Sequence, residues 1–131
     1  MAISDSTGQL ETLAEIEAAY EDMIGFVPAK VRARLRASDR IDPATLRLVE
    51  RWRLNALTPA ALDQKTVQLI SFAILLVQGS AAARNHAHAA VKAGASQEEL
   101  HAAAGISNLF RGIAAFNQAG EVLDELFADN T

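Results

Sequence analysis

The chain contains no cysteine among its 131 residues, which excludes disulfides, thiolate metal sites and any catalysis that cycles through a thiol. Proline is almost as scarce, at Pro28, Pro43 and Pro59 only, and there are just seven glycines. A chain with so few backbone breakers suits long regular elements. Aromatic residues amount to 5%, with one Trp and one Tyr, so a core must be built from aliphatic side chains. Long apolar runs are missing too. Thr66 to Ala83 carries no charge, but its apolar part, Val67 to Val77, is only 11 residues and is interrupted by Gln68 and Ser71. A membrane span needs about 20 predominantly apolar residues, and a run of about 10 to 14 more often makes a buried helix. Met1 to Ser6 has neither a basic region nor an apolar run, so no secretory signal is expected and the cytoplasm is the default expectation.

What the chain does have is 50% hydrophobic and 21% charged residues, the balance of a single compact domain, expected here over residues 1–131. At this length about two thirds of the unfolded surface is buried on folding. The net charge of -4 is unevenly spread. Residues 30–53 hold eight of the 12 basic residues against three acidic ones, a local +5 that leaves -9 for the remainder. Such a segment fits solvated helix faces, complementary charge at a subunit interface, or an anion site. No helix-turn-helix, zinc-finger or RNA-module pattern accompanies it, so no nucleic-acid partner is expected.

Hydrophobic periodicity is helical throughout, and no stretch alternates like a half-buried strand. The fold expected is all-α, with six or seven helices. Leu10, Leu13, Ile16, Tyr20 and Met23 recur at three- and four-residue steps, a first amphipathic helix that Gly25 can end. Pro28 is expected at the first position of a second helix that buries Val31 and Leu35. Asp42 before Pro43 opens a third, with Leu46, Val49 and Trp52 on its buried side. Asp63 is the expected cap of the apolar helix reaching Val77, which should lie at the centre of the fold. The following helix carries His86 and runs to Lys92, and Gly94 suits the left-handed position that terminates it. Ser96 and Glu99 read as a capping box for a helix through Leu100, Ala103, Ala104 and Ser107. Gly112 is expected to break it and to start a last helix through Phe116, Ala119, Leu123 and Leu126.

In Ala83-Arg84-Asn85-His86-Ala87-His88, followed by Gly94-Ala95-Ser96-Gln97-Glu98-Glu99-Leu100, the spacing is His-x7-Gly-x-[Ser/Thr]-x-x-Glu-[Leu/Ile]. This resembles the core of the carboxymuconolactone decarboxylase and alkyl hydroperoxidase D family. Gly25-Phe26-Val27-Pro28, Leu62 to Ile70 and Gly112-Ile113-Ala114-Ala115 are similar to further segments of that family in the same order, so the likeness covers residues 20–127. It implies an alkyl hydroperoxidase D-like all-α fold, a homotrimer or homohexamer, and a cofactor-free site at the histidine. In the peroxidase branch two cysteines stand seven and four residues before that histidine. Here those positions are Gly79 and Ala82, so a thiol peroxidase is excluded. The glutamate of that branch falls on Val67, or on Gln68 if Leu69-Ile70 is matched instead. The glutamate of the decarboxylase branch falls on Ala82. His86 therefore lacks both kinds of carboxylate partner.

Helical geometry separates the neighbouring histidines, because His88 lies two residues on and points about 200 degrees away from His86. The resemblance picks His86, with Gly79 and Ala82 expected on its face. Arg84, Asn85 and Arg111 are the polar groups expected nearest, able to bind a substrate carboxylate or to steady an enolate. His101 is expected to be exposed. No two histidines stand at i and i+4 and no carboxylate completes a ligand set, so no metal is expected. Neither a phosphate-binding glycine loop nor a Ser-His-Asp arrangement is present. Two functional readings stand. One is a cofactor-free enzyme that moves a proton through His86 on a small organic acid or lactone, by decarboxylation or a double-bond shift. The other is a non-catalytic ligand-binding or scaffold oligomer of the same fold. An enclosed cavity lined by His86 and an arginine would favour the first, and alanines packed solid against His86 the second.

Overall fold

A computed structural model describes residues 10–128; Met1 to Ser6, read above as lacking a secretory signal, lie outside the described residues. These fold as six helices with no strand among them: α1 (Leu13–Ile24), α2 (Ala29–Ile41), α3 (Pro43–Leu57), α4 (Gln64–Val77), α5 (Ala83–Lys92) and α6 (Gln97–Phe127). Each start is chemically marked. Thr12 and Glu15 form a reciprocal capping box on α1, as Ser96 and Glu99 do on α6. The Asp42 and Asp63 side chains accept from Thr45 N and Thr66 N at 3.2 and 2.8 Å, satisfying N–H groups that a helix leaves free in its first turn. Pro28 is one position earlier than expected, at the N-cap of α2. Gly25 ends α1 at φ 103°, a left-handed conformation that a residue with a Cβ adopts only with strain.

The core gathers Ile16, Tyr20 and Ile24 from α1, Leu35 from α2, Leu46 from α3 and Ala89 from α5. Helix α4 packs most extensively on α5 and α6, and α5 also meets α1. The Ser107 hydroxyl fixes α6 on α4 by donating to the Ala73 carbonyl at 2.8 Å. None of the six helices is long and apolar enough to cross a membrane.

Three expectations fail in informative ways. Helix α6 continues unbroken through Gly112 for 31 residues. One glycine weakens a helix by about 1 kcal/mol, too little to end it with no proline beside it. Beyond Ser107 α6 leaves the body, and Phe116, Leu123 and Leu126 are 78%, 56% and 63% exposed. On α3 Leu46 is buried as expected, but Val49 and Trp52 are 44% and 73% exposed. Glu50 is buried in their place, because the Arg34 guanidinium of α2 and the neutral Tyr20 hydroxyl of α1 meet it. Helix α4 is less enclosed than expected, with Ile70 and Ile74 half exposed.

Candidate active site

The register of α3 creates the site. Leu46, Glu50 and Arg53 stand at i, i+4 and i+7, so they share the face turned toward α1 and α2. The Glu50 carboxylate, 2% exposed, lies 3.0 Å from the Arg34 guanidinium of α2. Arg34 also donates to the Tyr20 hydroxyl at 3.1 Å. Arg53 covers the Tyr20 ring at 4.2 Å from its centroid, a cation over the negative face of the ring. Burial pushes the Tyr20 hydroxyl up to about 12 against the pull of the Arg53 charge, so it stays a protonated donor near neutrality. Arg53 makes no hydrogen bond to a described residue, which leaves its fork of donors available.

A second arrangement reaches His86 from α4. Its Nδ1 lies 2.7 Å from Gln68 Oε1, Gln68 Nε2 donates to Gln64 Oε1 at 3.3 Å, and Gln64 Nε2 donates to the Leu57 carbonyl at 2.6 Å. The last bond fixes the direction of all the others. A backbone carbonyl can only accept, so Gln64 must present its NH2 there and its oxygen to Gln68. Gln68 must then turn its own oxygen to the imidazole, and Nδ1 must carry the hydrogen. Nε2 is left with the lone pair. Burial first, and the Arg53 charge second, lower the His86 pKa from 6.5 to about 4. The ring is therefore neutral near pH 7, with one nitrogen engaged and the other able to accept a proton.

The other residues singled out in the sequence are dispersed. Arg84 is exposed in the first turn of α5 and Asn85 half-buried beside it. Arg111 donates to the Val77 carbonyl and holds the end of α4, its Nη1 3.6 Å from where a Cβ on Gly79 would stand. Gly79 does not share the face of His86. It turns the chain before α5 at φ 69°, and only Ala82, at the N-cap, keeps the expected one-turn relation. His88 is exposed and meets the Phe26 ring edge-on at 5.1 Å, and His101 is exposed. Among the described residues no group of three or more His, Asp or Glu could hold a metal ion.

A cleft of about 710 Å³ opens beside the glutamine relay, with Met23, Leu54, Thr58, Gln64, Ala89 and Lys92 on its walls. Gln64, the far end of the relay, faces it. His86 itself does not line it, so this cleft is not an enclosed cavity around the histidine.

The sequence model of the carboxymuconolactone decarboxylase family matches residues 43–125. The chain belongs to that family. No curated protein and no solved structure matches it. The match to the decarboxylase family spans α3 to α6, and so includes Glu50, Arg53, Gln64, Gln68 and His86, whereas Tyr20 and Arg34 come from helices before it. The residue that meets the histidine is Gln68, an amide and not a carboxylate. In the sequence Gln68 reads only as a residue that cannot be a carboxylate base, and Glu50 and Arg53 belong to a charge-rich segment that fits solvated helix faces, a subunit interface or an anion site. A usable signal was present in the i, i+4, i+7 spacing of Leu46, Glu50 and Arg53, which puts two charges in register with a core leucine.

Proposed function

We propose that this member of the carboxymuconolactone decarboxylase family is a cofactor-free proton-transfer enzyme acting on a small organic acid or lactone, and that it works as a homotrimer or homohexamer. The observation that carries the reading is the one-way relay from the Leu57 carbonyl through Gln64 and Gln68, which leaves the lone pair on His86 Nε2, in an imidazole that feels the Arg53 charge. Arg53 would hold the substrate carboxylate through its unengaged donors. Its charge is one cause of the low His86 pKa, so an anion on Arg53 would raise the basicity of Nε2 as substrate binds. His86 would then take a proton from the carbon next to a carbonyl and return it one double bond away, or protonate the carbon left after loss of CO2. The carboxylate-binding role falls to Arg53 in preference to Arg84, Asn85 or Arg111, because the Arg53 charge is the one that acts on His86.

Solvent hydrogen exchange into a panel of small unsaturated carboxylates and lactones in D2O, together with CO2 release, tests this. General acid or base catalysis is worth about a hundred- to ten-thousand-fold, so H86A should abolish turnover. R53A should weaken substrate binding, and H88A should stay within a few-fold of the parent. Inactivity toward the whole panel, or equal loss in H86A and H88A, would refute the reading. One observation favours the alternative of a non-catalytic binding protein: His86 does not line the 710 Å³ cleft. A ligand that binds there with unchanged affinity in H86A would support it.

A further inference from the structure

Four arginines of the basic segment are held in two different ways. Arg32, Arg34 and Arg51 each meet a carboxylate, from Glu17 at 3.5 Å, Glu50 at 3.0 Å and Glu11. Arg53, half-buried, forms no ion pair with a described residue, and its guanidinium lies on the face of the Tyr20 ring instead. The two supports differ chemically. A carboxylate occupies the N–H groups of a guanidinium and cancels its charge, whereas an aromatic face attracts the cation and leaves both intact. Glu50 is the acidic residue of α3 and stands three positions before Arg53, a spacing at which ion pairs form on a helix. It is turned to Arg34 of α2. Arg34 also donates to the Tyr20 hydroxyl at 3.1 Å, so one guanidinium both engages the competing carboxylate and anchors the ring on which Arg53 rests. Tyr20 is 2% exposed, within the core of Ile16, Ile24, Leu35 and Leu46. Arg53 therefore rests on a fixed platform with its charge uncompensated.

We propose that Tyr20 is the positioning residue of Arg53: its ring face fixes the guanidinium without neutralising it, so that the anion which completes Arg53 is a carboxylate of the substrate. This rests on the substrate-holding role given to Arg53 above, and it narrows the substrate class to molecules that carry an ionised carboxylate, lactones included only when they bear one. Tyr20 and Arg34 come from α1 and α2, before the segment that matches the family model. The platform is thus supplied by helices outside the match, while Arg53 and His86 lie within it.

NMR of the full chain tests the platform without depending on turnover. In the parent the Arg53 side-chain protons should be displaced upfield by the Tyr20 ring current, and Y20F, which keeps the ring, should preserve the displacement while Y20L loses it. Arg53 is the charged group that bears on His86, the α4 neighbour Gln68 being uncharged. R53M and Y20L should therefore both raise the His86 titration from about 4 towards 6.5, and Y20L/R53M should raise it no further than R53M, because the two residues act through one contact. Near neutral pH, acetate exchanged for chloride at constant ionic strength should move the Arg53 Nε–H signal in the parent and in Y20F, with about tenfold more acetate needed in Y20L. Circular dichroism identifies a Y20L that fails to fold, and the ring-current displacement in the parent and Y20F then still judges the contact. Inactivity on the whole substrate panel would refute the proposed function and leave these spectra to judge the positioning. An undisplaced Arg53 signal in the parent, an equal rise of the His86 titration on Y20L with and without Arg53, or an Arg53 signal indifferent to acetate would overturn the proposal.

Discussion

Acidification should strip this protein of stability through His86 in a way that one substitution isolates. The imidazole titrates near 6.5 when unfolded and at about 4 when folded, lowered first by burial and then by Arg53. The unfolded chain therefore binds the proton more readily between those values. The neutral ring contributes its full stability above pH 6.5 and loses it as pH falls through 4. At 1.36 kcal/mol per unit the whole shift would be worth about 3.4 kcal/mol. Part of the ring reaches solvent, which screens the effect, so about 2 kcal/mol is expected. Urea unfolding at steps from pH 7.5 to 4 would measure it in the parent and in H86Q, whose amide can still donate to Gln68. Carboxylates titrate in both proteins, so the difference between the two curves reports His86. Parallel curves would refute the reasoning, since they would mean that the ring is as free to protonate in the fold as outside it.

Other substitutions should separate the two polar arrangements. Q68L, at a position with no exposed surface, strands the His86 Nδ1–H and the Gln64 oxygen and should lower unfolding free energy by about 2 kcal/mol in urea melts. E50A removes the buried partner of Arg34. Because the Arg34 side chain is 45% exposed and can turn to water, the loss should be about 2 kcal/mol, less than for a fully buried pair, and the sole tyrosine should ionise at lower pH in absorbance titrations. G25A forces a Cβ into the left-handed cap of α1 and should cost about 1 kcal/mol in the same melts. With no thiol in the chain, peroxide consumption with a dithiol donor should match a protein-free blank.

Much of the fold was legible because its signals are local. Asp42, Asp63, Ser96 and Gly25 each mark a helix boundary through a bond or a dihedral within a few residues, and the structure keeps all four. The errors arose where a distant partner decides. Gly112 reads as a breaker from propensity alone, but without proline beside it the flanking residues carry α6 onward. Trp52 reads as core by size, yet α3 is rotated so that Glu50 goes inward, which is tolerable only because Arg34 and Tyr20 arrive from other helices. The candidate site follows the same division. His86 was visible from its spacing, whereas its engagement with Gln68, eighteen residues earlier, depends on how α4 lies against α5. Arg53 emerged only from the folded arrangement, in which its charge acts on the buried imidazole.

Central to the account is a neutral His86 whose proton sits on Nδ1, held by a relay that ends on a backbone carbonyl. Nitrogen-15 NMR of the imidazole rings, recorded from pH 7.5 to 4, observes the tautomer and the titration together. The account predicts the Nδ1–H form at pH 7, protonation only near pH 4, and a proton shifted to Nε2 in Q68L. An Nε2–H tautomer in the parent, or a His86 titration near 6.5 alongside the exposed His88 and His101, would contradict it.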